Sequence, residues 1–279
     1  VLTKLTLQQK VLYYSLLILL AIVILFPIYY MIIISLKLPK DIYRTPSLLP
    51  INATTQNYVD LFDPDKTNFL VNIRNSFTVA GLATFVSVLF SSMAAYSLVR
   101  LRYLYRDWFG RLILIAYLTP GSVLFIPLSV IVNQLQLSNT LHGLIFVYLT
   151  FSTPLSTWLL MGYFKSIPID LEEQAMVDGA TRLQAFFQIL LPLSAPGLIA
   201  VSVFAFTGAW NELLFGLLFV TSPDLRTVPV AISYLITGDV FRWGLIMAAS
   251  VSAAVPVMVL YYLAQRFVVK GLSAGAVKM

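Results

Sequence analysis

Long stretches of this 279-residue chain carry no charged side chain: residues 11–36, 75–99, 112–164, 183–211 and 243–265. An α-helix needs about 20 consecutive apolar residues to cross the hydrocarbon core of a bilayer. Each stretch is long enough for one crossing. The stretch 112–164 is long enough for two, joined by the polar, turn-like NQLQLSNTLHG at 133–143. The charges therefore predict six spans, over 12–36, 73–98, 111–132, 141–164, 194–219 and 244–266. These segments are continuously apolar and lack the alternation of a membrane β-barrel, so helices are what satisfies their backbone groups in lipid. The predicted fold class is an all-α polytopic membrane protein.

Composition agrees. The chain is 59% hydrophobic and 11% charged, whereas soluble domains are about 25% charged. A soluble fold must cover itself with polar groups that this chain does not have. The net charge of +6 is not gathered into the basic stripe that nucleic acid needs, so no nucleic-acid partner is predicted. There is no cysteine and a single histidine, His142, so neither a disulfide nor a metal site is expected. Placing both termini in the cytoplasm puts the larger share of the 18 Lys and Arg residues inside, most of the bias coming from RLRYLYRDWFGR at 100–111. Two substantial loops then lie outside: 37–72, with PKDIYRTPSLLP and NYVDLF, and 220–243, which returns to the membrane at Trp243.

The loop between the fourth and fifth spans, 165–192, departs from its surroundings. It holds Asp170, Glu172, Glu173 and Asp178 of the chain's 12 acidic residues. Asp170 as N-cap with Glu173 three residues on reads as a capping box. Gly179 ends that short helix with a positive φ. Thr181 and Gln184 repeat the capping pattern for a second helix, and Pro192 is expected to break it before the fifth span. Two readings remain open from the residues. One is a well-capped surface connector. The other is a helix–corner–helix knob with acids at its edge and small Ala175 and Ala180 at its corner, shaped for a basic cleft on a partner. The loop is longer than a connector requires.

Glu212, in AWNELLFG, is the acidic residue inside a span. With Trp210 and Asn211 beside it, it reads either as lining a path or partner interface, or as close enough to the surface to reach water. Trp158, Phe204, Phe206 and Trp210 have the faces to stack on a sugar, and equally the size to pack in a helix bundle. The chain contains no G-x-x-x-x-G-K-[ST], so it has no phosphate-cradling loop of its own.

EEQAMVDGATRLQAFFQILLP (172–192) resembles the cytoplasmic signature of ABC-importer permeases: Glu173, Ala175, Gly179, Ile189, Leu191 and Pro192 fall on its spacing, while Gln174 replaces an alanine. LKLPKDIY (36–43), NYVDLF (57–62), NSFTVA (75–80), AAYSLVRLRY (94–103), AWNELLFGL (209–217), WGLIMAAS (243–250) and RFVVKGLSAGAVK (266–278) resemble the maltose-type sugar permeases, over nearly the whole chain.

The resemblance implies the type I importer permease fold: six spans with a cytoplasmic coupling-helix pair, in a bacterial inner membrane. It implies a division into 1–72 (N-terminal segment, first span and outer loop), 73–267 (core permease) and 268–279 (cytoplasmic tail). It implies partners: a sister permease, two cytoplasmic ATP-binding subunits that carry ATP and Mg, and an extracytoplasmic sugar-binding protein. This chain then binds no cofactor and is not itself an enzyme. Glu172, Glu173, Ala175, Asp178, Gly179, Ala180 and Arg182 would couple to an ATPase subunit, with Arg182 bracing the knob from within. The tail residues Gly271, Leu272, Ser273, Ala274 and Gly275 would reach the ATPase subunits. An importer of a non-sugar solute and an ion-coupled secondary transporter are the alternative readings. The second calls for an internal repeat and mid-membrane charges, whereas this chain has no clear repeat and one marginal carboxylate, Glu212.

Overall fold

The structure, a computed structural model, describes residues 6–44, 47–49, 52–237 and 240–276, with the backbone alone at 44, 237, 240 and 268–276. Among the described residues the chain is almost wholly helical. In order it forms α1 (Leu7–Ser35), α2 (Pro39–Arg44), α3 (Gln56–Phe62), α4 (Phe69–Arg100), α5 (Arg106–Leu118), α6 (Phe125–Gln134), α7 (Leu141–Ser166), α8 (Asp170–Val177) and α9 (Arg182–Ala185). Then follow α10 (Leu191–Leu193), α11 (Ala195–Trp210), α12 (Leu214–Phe219), α13 (Val228–Ser233), the two-residue strands β1 (Ile236–Thr237) and β2 (Val240–Phe241), and α14 (Trp243–Ala276). The all-α membrane fold is the observed one, the antiparallel β1–β2 ribbon being a detail that the sequence reading did not foresee.

Four of these helices are long and apolar enough to cross a membrane, and six crossings result if each of two bent helix pairs counts as one. The bends correct the straight spans expected from charge. Between α5 and a 3-10 turn at Gly121–Leu124 the chain turns by 93°. Pro120 explains it: the ring pushes Thr119 out of the helical region, to φ −70 and ψ 120. A second bend, of 76°, separates Arg182–Leu193 from α11. The fifth span is also interrupted at 211–213, after only 16 residues of α11, which at 1.5 Å per residue is about 24 Å.

The chain divides into two compact units. The first comprises residues 1–69 and 232–255. Its α1 opens with a Thr6–Gln9 capping box and buries only Ile33, Ile34 and Ser35, leaving apolar side chains exposed on every face, as suits a helix whose solvent is lipid. The end of α1 is closed by Asn57, whose Nδ2 donates to the carbonyls of Ser35 (2.8 Å) and Lys37 (2.9 Å). Lys37 is 1% exposed and donates to the Ser47 carbonyl at 2.6 Å. Tyr43 donates to the Phe241 carbonyl, and Phe241 stacks on Trp243. On the rim Lys66 bridges Asp60 and Asp63, and its hydrogen bond holds the Asp60 carboxyl below the usual carboxylate range.

The second unit, residues 70–231 and 256–279, is a bundle centred on α7, against which α5, α11 and α12 pack. Ser87 and Ser91 of α4 bond Ser156 Oγ and the Thr153 carbonyl of α7, small polar residues of the kind that join helices in lipid. One apolar cluster, including Val79, Val132, Leu144, Val147 and Phe219, fills the part of the bundle near the start of α7. Another, of Ala95, Leu160, Phe164, Phe186, Leu190 and Val201, fills the part near its end.

Gly197 lets α11 approach α7: a Cβ there would lie 2.5 Å from the Tyr163 ring. Gly197→Val is expected to force the helices apart and lower the melting temperature of the solubilised protein, by the equivalent of about 1–3 kcal/mol of overpacking. An unchanged melting temperature would show that Tyr163 swings away freely.

Candidate functional site

The segment 166–194 is built from local rules of chain reversal. α7 stops at Ser166, and Ile167 and Pro168 turn the chain. Helical angles begin at Ile169, one residue before Asp170, because Pro168 pre-sets the entry. Asp170 is therefore inside the first turn and makes no capping box with Glu173, contrary to expectation. The acids of that turn act on the helix dipole instead. α8 then ends as foreseen. Gly179 has φ +96, the Ala180 N–H bonds the Ala175 carbonyl (3.0 Å), and the Gly179 N–H bonds the Met176 carbonyl (3.2 Å). These two bonds are the Schellman closure, which occupies carbonyls that a helix end leaves free. Thr181 and Gln184 form the expected capping box.

Pro192 does not break the second helix. The preceding turn, Phe186–Leu190, widens to a π-helix, with the Leu191 N–H bonding the Phe186 carbonyl. The wider turn accommodates a ring that lacks an N–H, and the bend falls two residues later, at Ser194.

This knob is seated on the rest of the second unit in two ways. Phe186 and Leu190 enter the apolar cluster near the end of α7, with the Phe186 ring 4.8 Å from that of Tyr96. Glu172 is 2% exposed, and its Oε1 accepts from Arg100 Nε at 2.7 Å. The resemblance places Glu172 among the residues that couple to an ATPase subunit and gives the internal brace to Arg182. The carboxylate instead faces inward, Arg100 supplies the brace, and Arg182 is exposed. Glu173, Asp178, Gly179, Leu183 and Val177, the last 87% exposed, form the outward surface; Ala175 and Ala180 are half-buried.

The fifth span carries a second polar feature. At its break Glu212 accepts from Tyr148 Oη (2.9 Å) and from the backbone N–H groups of Phe215 (3.0 Å) and Gly216 (3.1 Å). The carboxylate thus caps the start of α12 and pairs the hydroxyl of Tyr148, a residue that is 3% exposed. It also borders a cavity of about 270 Å³ walled by Phe151, Phe204 and Phe215, with Ser152 and Gly208. Trp210 does not line this cavity: it is 2% exposed, stacked on Phe206 and edge-on to Phe77. Asn211 is exposed, and Trp158 stacks with Tyr117.

Residues 87–274 match the family described as binding-protein-dependent transport system inner membrane component. The chain belongs to this family. It is 38% identical over 269 residues to the trehalose/maltose transport system permease protein MalG of Thermococcus litoralis, covering 94% of each chain. To the sulfoquinovosyl glycerol transport system permease protein SmoH of Agrobacterium fabrum it is 39% identical over 255 residues, covering 91% of this chain and 89% of that one. Its fold is shared with a chain of a bacterial ABC transporter involved in the import of the acidic polysaccharide alginate, at a TM-score of 0.78 and 21% identity, covering 92% of this chain and 95% of that chain. The protein is an ABC-importer permease of the inner membrane.

A further group of contacts in this permease is not among those expected from the sequence. The stretch 219–228 is held by side-chain amides. Asn139 donates to Ser222 Oγ (2.7 Å) and accepts from the N–H groups of Thr221 and Ser222. Asn72 donates to the Pro223 and Arg226 carbonyls, Asn75 to those of Asp224 and Arg226, and Ser76 accepts from the Val228 N–H. The signal was present: Asn72 and Asn75 are three residues apart at the start of an apolar helix, hence on one face, where an unpartnered amide is costly. The base of the 220–243 loop is thereby fixed to α4 and to the turn before α7. Residues 238 and 239, which follow β1 in sequence, lie outside the described residues. The tail Gly271–Gly275 continues α14 as backbone, and its side chains lie outside the described residues.

Proposed function

We propose that this permease is the six-span half of a heterodimeric pair that imports a sugar, an oligosaccharide, disaccharide or glycoside, at the expense of ATP hydrolysed by partner subunits. The observation that carries this reading is the knob at 170–193. It presents Glu173, Asp178, Gly179 and Val177 outward while its other face is seated on α4 and α7. A surface connector has no need of two capped helices, a glycine corner and a buried charge. A handle that must be gripped on one side and fixed on the other needs all of them.

In this reading the knob sits in the cleft of an ATPase subunit on the cytoplasmic side, and both chain termini share that side. Two ATP-binding subunits hold ATP and Mg. The tail from Gly271 to Gly275 extends toward them. The loop 220–243, with its base fixed by Asn72, Asn75 and Asn139, faces the extracytoplasmic binding protein. ATP-driven closure moves the clefts, and the seated knob transmits the displacement to α4 and α7. The two access states differ in their contacts with the ATPase, and that difference shifts their populations. Sugar as substrate is supported by the trehalose/maltose and sulfoquinovosyl glycerol systems to which the relatives MalG and SmoH belong, and by the whole-chain resemblance to maltose-type permeases.

The test is uptake of labelled oligosaccharides into proteoliposomes that hold the full transporter, with its binding protein added outside. Uptake that requires both ATP and the binding protein is expected. Uptake that persists without ATP and follows an imposed ion gradient would overturn the reading.

A further inference from the structure

Glu172 is the one buried residue of α8. Leu171, Glu173, Gln174 and Val177 are exposed, and Ala175 and Met176 are half-buried. Across the corner the attachment is apolar: Phe186 and Leu190 insert beside Ala95, Leu160 and Phe164. The two arms pack on each other, but they are joined to the spans by different kinds of contact. Apolar burial is non-directional. A guanidinium paired with a carboxylate fixes distance and orientation together.

Arg100 uses its donors in two directions. Its Nε donates to Glu172 Oε1 at 2.7 Å, and its Nη2 donates to the Ile167 carbonyl at 2.8 Å. Arg100 is the last residue of α4, and Ile167 directly follows α7. One side chain thus joins the end of α4, the end of α7 and the first turn of α8. Water is nearly excluded, the side chains being 7% and 3% exposed. The Tyr96 hydroxyl, one turn back on α4, lies beside the same carboxylate.

We propose that Arg100 and Glu172 are positioning residues for energy coupling. The ion pair pins α8 to the ends of α4 and α7, so that a displacement of the knob turns these helices instead of letting α8 pivot about Gly179. Without the pin, α9 and the π turn stay seated, but α8 follows the ATPase cleft alone and part of each stroke is lost. Glu172 and Glu173 then divide the work: neighbours in sequence, one faces the spans and the other the partner. This proposal rests on the reading of 170–192 as the coupling segment.

The test uses the full transporter in proteoliposomes and measures sugar taken up per ATP hydrolysed. Removing one partner strands a buried charge, whereas replacing both with apolar groups of similar volume is often tolerated. The informative variant is therefore Arg100→Met/Glu172→Leu. Its uptake per ATP is expected to fall about fivefold or more, the lower end of ordinary coupling between sites. A second variant, Glu172→Gln, keeps the shape and removes the charge. A reduced ratio there supports the pin, and a wild-type ratio in either variant that assembles overturns it. Gly179→Pro, run in parallel, separates the two levels. If it lowers the ratio while the pair variants do not, the pin is wrong and the coupling segment stands. If it too leaves the ratio unchanged, the reading of the segment itself fails.

Discussion

Gly179→Pro is expected to leave a permease that inserts and assembles but no longer converts ATP hydrolysis into uptake. The corner depends on a backbone that only glycine adopts easily: φ is +96, and the N–H bonds the Met176 carbonyl. Proline fixes φ near −65 and has no N–H, so it removes that bond and reverses the sense of the corner. Ala180 then can no longer reach the Ala175 carbonyl, and the closure of α8 opens. Nothing lies within 4 Å of a Cβ placed on Gly179. The loss is thus conformational, not steric, and should be graded. Gly179→Ala carries only the left-handed penalty of about 1–2 kcal/mol, and should retain part of the uptake that Gly179→Pro abolishes. The two variants are compared by uptake per ATP in vesicles, with insertion checked by the amount of protein recovered in the membrane. Wild-type uptake by Gly179→Pro would show that the corner does not couple. Glu173→Lys probes the same surface by charge, and is expected to weaken coupling with no effect on the corner, since Glu173 is exposed.

The elements that were legible in the sequence are those governed by local chemistry. Gly179, and Thr181 with Gln184, announce a corner and a cap through residues within three positions of one another. The spans announce themselves by length. Breaks inside a span were not legible, because an interval without charge has no internal ruler. Pro120 bends one span by 93° within such an interval, while Glu212 closes the charge-free stretch 183–211 but is followed by an apolar run that carries the expected span on to 219. Pro192, read as a breaker, was absorbed by a π turn that no residue pattern specifies. The inward turn of Glu172 was hidden for a different reason. Its partner Arg100 is 72 residues away, and Glu172 and Glu173 look alike until the helix is placed against α4. Long-range pairs of this kind, like Asn75 with the Asp224 carbonyl, are set by packing and not by any neighbour in sequence.

Glu212→Ala is expected to lower the melting temperature of the solubilised permease by at least about 5 °C, from about 1–3 kcal/mol for each buried donor left without a partner and about 2–4 °C per kcal/mol. Three donors are affected: Tyr148 Oη and the N–H groups of Phe215 and Gly216. The cavity beside them is walled mainly by aromatic rings and offers few polar atoms to replace the lost oxygens. Glu212→Gln keeps one acceptor oxygen for the start of α12 and should melt much closer to wild type. Tyr148→Phe removes one donor and leaves the carboxylate its two backbone partners, so it too should be mild. The set separates the roles of the residue. A cap predicts that Glu212→Ala melts early while Glu212→Gln still supports uptake. A carboxylate that serves the path predicts the reverse for Glu212→Gln: normal melting with little uptake. An unchanged melting temperature for Glu212→Ala would sink the cap, because three donors in so apolar a place cannot lose a carboxylate without consequence unless α12 is held from elsewhere.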